Sequence, residues 1–138
     1  TFIAGCAGRP SLLPNSDKDL RHTSAQFAAD AATRHPYKAD APRGGEAVGR
    51  ATVGYTLNQI DVINLSSTQW DNVELWVNQK YVVFIPKMEP HKLKTIPFQM
   101  LYDASGNYFP LDNSKTLVKS VEIYRDGKMY TIPAKLGD

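Results

Sequence analysis

One cysteine, three histidines and no long apolar run set the first limits on this chain of 138 residues. A lone cysteine excludes an internal disulfide and a multi-cysteine metal site, so Cys6 must be free, modified or joined to another chain. No window approaches the roughly 18 consecutive apolar residues of a spanning helix, so a membrane could be reached only through an anchor or a partner. His22, His35 and His91 have no metal-ligand spacing and read as surface residues. Charge of one sign is also in short supply. Residues 1–50 carry seven Lys or Arg against five Asp or Glu, and the remainder carries nine of each. That balance is a poor match for nucleic acid, which needs a clustered basic face. Gly-x-Ser-x-Gly elbows, phosphate-cradling glycine loops and a cysteine beside a plausible base are all missing. No catalytic residue, metal ligand or cofactor is therefore assigned, and the chain reads as non-enzymatic.

Three weaker signals read as structure. Asp103-Ala-Ser-Gly-Asn107 has alternating oxygens, but its glycine is misplaced and Ser114 stands where a calcium loop needs a bidentate Glu, so it is a polar turn. Lys87, His91, Lys92 and Lys94 form a basic cluster opposed only by Glu89: a solvated hairpin tip, with anionic headgroups as the alternative. Asn64-Leu65-Ser66 is formally a glycosylation sequon, without meaning in a bacterial protein.

Composition breaks near Arg50, dividing the chain into an arm, 1–50, and a domain, 51–138. Between Ala7 and Arg50 the large apolar residues are Leu12, Leu13, Leu20, Phe27, Tyr37 and Val48, among Pro10, Pro14, Pro36 and Pro42. Such a segment cannot by itself offset an ordering entropy of roughly 1–2 kcal/mol per residue. One stretch is an exception. Thr23 and Gln26 match a capping box, Ala25, Ala28, Ala29 and Ala32 recur at helical spacing, and Pro36 ends the run. A short helix is expected there, with the rest of the arm draped over partner subunits that supply the apolar surface it lacks.

From Ala51 the period becomes two. ATVGYT, IDVINL, VELWVN, KYVVFI, LKTIPF, VEIYRD and KMYTIP are short, β-branched or aromatic, and bounded by turn residues. Some seven strands in so short a length predict an all-β fold, a small immunoglobulin-like antiparallel β-sandwich behind a mostly irregular arm with one short helix. Asp126-Gly127 is a hairpin turn, Ser105-Gly106-Asn107 a second, and Asn78-Gln79 a third. Pro86, Pro97 and Pro133 suit strand ends or edges. In VELWVN, Val73, Leu75 and Val77 face one way and Glu74, Trp76 and Asn78 the other, which stands Trp76 on the polar face. KYVVFI is apolar on both faces, with Val82 and Phe84 opposite Tyr81, Val83 and Ile85. The second face needs a cover: a long loop or the arm, or else a partner or ligand.

The stretch NLSSTQWDNVELWVNQKYVV resembles a small β-domain of bacterial envelope and secreted proteins, marked by Asn-x-Ser, then Trp-x-Asn-Val, then Asn and an aromatic strand. The matching residues are Asn64, Ser66, Trp70, Asn72, Val73, Asn78 and Tyr81, with Phe98, Gly106 and Phe109 continuing the pattern over roughly 55–132. The resemblance brings no activity; it implies a Trp closing one end of a sandwich and asparagines satisfying backbone groups in turns. It departs at Glu89-Pro90-His91-Lys92, where a glycine-bearing turn is expected, leaving the register of the next strand open. Ile3-Ala4-Gly5-Cys6 is similar to a bacterial lipobox, whose cysteine carries a diacylglyceryl group, although residues 1–5 would be cleaved from a mature lipoprotein. At roughly 0.8 kcal/mol per buried methylene, two or three acyl chains anchor firmly.

Two functions from different classes follow. The first is a lipid-anchored accessory subunit at the periplasmic face of the inner membrane, held by Cys6. It would bind integral membrane protein subunits through Leu12, Leu13, Phe27, Tyr37, Trp76, Val82 and Phe84. A photosynthetic reaction-centre and antenna assembly, which can carry lipid-anchored periplasmic subunits, is the complex in view, although no pigment-ligand motif is present. The alternative is an independent periplasmic or secreted module binding glycan or peptide on Trp76 and nearby rings. In the first reading no small-molecule ligand is expected.

Overall fold

The computed structural model describes residues 20, 23–34, 36–111 and 117–137. Strands dominate. In chain order, α1 (Ser24–Arg34) precedes β1 (Arg43–Glu46), β2 (Gly49–Gly54), β3 (Gln59–Asn64), β4 (Trp70–Val77), β5 (Tyr81–Met88) and β6 (Leu93–Pro97). A 3-10 turn over Phe98–Met100 follows, then β7 (Val121–Arg125), β8 (Lys128–Thr131) and β9 (Ala134–Leu136). They form two sheets, one in the order β1-β8-β7-β4-β5 and one in the order β6-β3-β2-β9. The fold is all-β and sandwich-like, and the sheets' facing sides are closed by apolar rows. Val73, Leu75 and Val77 of β4, Val83 and Ile85 of β5 and Ile123 of β7 meet Ala51, Val53, Ile60, Val62 and Ile96 from the other sheet, all buried.

The seven strands read from the alternation are all present, and two more join them. β1 and β9 pair in parallel, β1 with β8 and β9 with β2, so the sandwich is mixed rather than purely antiparallel. Arg43-Gly44-Gly45-Glu46 is exposed throughout, so no alternation announces β1. Gly44 lets its backbone lie against the Tyr130 ring, where a Cβ would collide with ring carbons. Two strands thus begin before the composition break, at Arg43 and Gly49.

Turns follow the local chemistry. Asp126 and Gly127 take φ of 51° and 78° between β7 and β8, and Asn78 and Gln79 take 56° and 58° between β4 and β5, the left-handed pairs that such hairpins require. Gly106 (φ 88°) closes the third turn, and Asp103 Oδ1 accepts from the Ser105 and Asn107 amides. At the place where glycine was expected, His91 adopts φ 62°, and its N–H donates to the Asn64 carbonyl at 2.6 Å. That bond fixes the register left open by the sequence: Leu93 lies opposite Ile63 and Ile96 opposite Ile60.

Trp70 closes one end. It is buried between the sheets beside Gly49, where an added Cβ would sit 2.8 Å from the Ile63 carbonyl oxygen and 3.0 Å from the indole. The Arg125 guanidinium lies between two rings, 5.3 Å from Trp70 and 4.6 Å from Tyr130, a stacked cation that covers the indole face.

Candidate functional site

The outer face of the five-stranded sheet has the densest chemistry. Cross-strand register sets Trp76 opposite Val82 on one side and Glu122 on the other, and Glu74 opposite Phe84 and Tyr124. Carboxylates and rings therefore alternate in a checkerboard across β4 and β7. An exposed face of this kind would be half apolar; here the arm covers it.

The cover is built from the N-terminal side. Gln26 N–H donates to Thr23 Oγ1 at 3.2 Å and Thr23 N–H to Gln26 Oε1 at 2.7 Å, the reciprocal bonds of the expected capping box. The helix runs to Arg34 and packs on β5 through Phe27 and Ala31, both buried. After Pro36 the chain crosses the sheet as a strap. Tyr37 meets Trp76 edge to face, with centroids 5.3 Å apart and planes at 82°. Its hydroxyl donates to Glu122 Oε1 at 2.5 Å, while Arg43 Nη1 lies 3.5 Å from Oε2. Lys38 Nζ reaches Glu74 Oε1 at 2.9 Å, and Trp76 Nε1 donates to the same oxygen at 3.1 Å. Pro42 then accepts from the Met129 amide at 2.9 Å, and β1 follows.

Five of the residues assigned to partner binding are gathered here. Phe27 (2% exposed), Trp76 (1%) and Val82 (3%) are buried by the chain itself, while Tyr37 and Phe84 are half-buried. Trp76 does share a face with Glu74, as its alternation says, but it is sealed beneath Tyr37 and offers no open stacking platform. Phe27, Ala31 and Tyr37 of the arm rest on the sheet of the same chain. Cys6, Leu12 and Leu13 lie outside the described residues. Lys38, Arg43, Glu74, Glu122 and Tyr124 were not assigned by sequence. The signal was present, since Val-Glu-Leu-Trp (73–76) and Val-Glu-Ile-Tyr (121–124) each put a Glu and a ring two apart on one face.

Burial, reinforced by the Glu122 carboxylate, raises the Tyr37 phenol above its ordinary value of 10.0. Its sign gives an alkaline effect. Above pH 10 the unfolded chain loses this proton while the folded one keeps it, so the unfolded state gains as pH rises towards the folded value. Below pH 10 both states hold the proton and nothing changes. Tyr37→Phe is expected to flatten the alkaline limb of stability, measured as urea midpoints on either side of pH 10; an unchanged limb would show that Tyr37 does not set it.

Elsewhere polar groups serve the fold. Asn64 is fully buried, and its Nδ2 donates to the Thr68 and Met88 carbonyls at 2.8 and 2.9 Å, so the formal sequon has no accessible amide nitrogen. Asn78 accepts from the Lys119 and Ser120 amides and donates to the Leu117 carbonyl. Comparison of the chain with protein-family models, with curated proteins and with solved structures finds no match in any of the three.

Proposed function

We propose that this chain is a non-catalytic accessory subunit, lipid-anchored through Cys6 at the periplasmic face of a bacterial inner membrane, that docks on integral membrane protein subunits. The observation that carries the reading is an asymmetry between the two outer sheet faces. The five-stranded face is closed by α1 and the strap. On the four-stranded face, Val48 (60% exposed) and Leu93 (55%) stand beside half-buried Ile63 and Leu65, and the described residues place no layer above them. Adjoining aliphatic residues on a flat sheet are the usual material of a protein contact.

Arg50 lies beside Ile63 on the same face, so the patch has a charged border like the rim of an interface. In this reading the arm serves as tether and latch, and the second sheet does the docking. Leu93→Glu is expected to leave the thermal midpoint within a few degrees, because Leu93 is already exposed, yet to release the chain from its detergent-extracted complex. A photosynthetic reaction-centre and antenna preparation is the first to test. Retention of the variant at full stoichiometry would remove this face from the interface.

A further inference from the structure

Between the strap and the sheet lies a groove of about 650 Å³, walled by Thr33, Pro36, Asp40, Glu74 and Tyr124, with Lys38 reaching across it. Asp40 and Glu74 make its walls acidic, and the Tyr124 ring makes part of them aromatic. Inside, the Lys38 ammonium has a carboxylate and two rings among its neighbours. It lies 2.9 Å from Glu74 Oε1, 4.8 Å from the Tyr124 centroid and 5.8 Å from the Trp76 centroid. The carboxylate is itself fixed by the Trp76 indole N–H at 3.1 Å. An oriented carboxylate beside the Tyr124 ring that lines the groove, with the buried Trp76 ring behind them, is a receptor for an organic cation.

We propose that this groove binds a small organic ammonium ion, of the quaternary type, against the Tyr124 ring and farther from Glu74 than the Lys38 ammonium, which it displaces. Lys38 is then a tethered occupant that an external cation displaces. A quaternary ammonium gives up less hydration than a primary one on entering, and ring faces compensate it without hydrogen bonds. It forgoes the Lys38 hydrogen bond to Glu74, so binding to the native chain is weak, lowered by the fraction of molecules in which Lys38 holds the position. The strap stays docked meanwhile, because Tyr37 and Arg43 hold it to Glu122 independently of Lys38. The proposal stands apart from the docking of the other sheet, and either could fail alone.

The probe is choline chloride at constant ionic strength, set against its neutral isostere in which carbon replaces nitrogen. The readout is the Trp76 indole N–H and Tyr124 ring resonances. Choline is expected to shift both saturably and the isostere to shift neither. Lys38→Ala should bind choline at least about tenfold more tightly, and Glu74→Gln at least about tenfold more weakly, than the native chain. Lys38→Met, which keeps the aliphatic stem across the groove, serves if the alanine variant unfolds. No saturable shift in either the native chain or the folded Lys38 variant, or an equal response to the neutral isostere, would overturn the proposal and leave Lys38 as a latch alone.

Discussion

Asn64→Ala is expected to lower the unfolding free energy by about 3 kcal/mol and the thermal midpoint by roughly 10 °C. The residue is fully buried and every atom of its amide is engaged. Nδ2 serves the Thr68 and Met88 carbonyls, and Oδ1 accepts from the Ser66 amide at 2.9 Å and the Ser66 hydroxyl at 2.6 Å. Truncation strands the Met88 carbonyl in the interior and leaves the less buried Thr68 and Ser66 groups to water, and an orphaned buried group costs about 1–3 kcal/mol. The cost reaches beyond the loop through the Met88 carbonyl of β5, which loses its Nδ2 donor. The main-chain carbonyl of residue 64, which holds the His91 turn, is kept in the alanine variant. Ser66→Ala, which removes one hydroxyl, should cost only about 1 kcal/mol. Thermal melts of the two variants decide the matter: equal, small shifts would mean that water replaces the amide and that the hub is dispensable.

Trp76→Ala should be costlier still, at about 4 kcal/mol, a large part of the 5–15 kcal/mol that typically stabilises a domain. It removes the largest side chain of the outer face, the indole donor to Glu74 and the ring against which Tyr37 rests. The strap is expected to loosen with it. Limited proteolysis should therefore cut within 36–47 well before the core in the alanine variant, whereas Trp76→Phe, which keeps an apolar ring there, should protect the strap nearly as well as the native chain. A strap equally resistant in Trp76→Ala would show that Tyr37–Glu122 and the β1 ladder hold it without the indole.

The parts of this fold that sequence foretold are those with local causes. Alternation in Val73–Val77 and Tyr81–Ile85 reflects two faces in two environments, and Asp126-Gly127 needs nothing beyond its own backbone preferences to turn. β1 and β9 have no such cause. Each is a short parallel addition whose partner lies far along the chain, and neither carries a buried row: all their residues are exposed. His91 illustrates the same limit in one residue, since its left-handed conformation is stabilised by a carbonyl 27 positions earlier.

The candidate site divides likewise. That Glu74 and Trp76 share a face is period-two geometry, legible in the strand itself. That Tyr37 and Lys38 cover them is a contact across more than thirty residues, and only folding reveals it. The arm is too poor in apolar residues to order alone, yet the sheet's second face needed what little it offers: Phe27, Ala31 and one tyrosine ring.

The parallel pairing of β1 with β8 has a mechanical consequence. Tension entering through the arm pulls β1 toward its amino end, while resistance is transmitted through β8 toward its carboxyl end. Because the two strands run the same way, those forces slide them past one another. The bond from Met129 to Pro42 and that from Ala47 to Thr131 are then strained together, instead of opening one at a time as in a hairpin pulled from its ends. An arm that tethers this sandwich to a surface would therefore meet, behind its contacts at Phe27, Tyr37 and Lys38, a joint that resists shear.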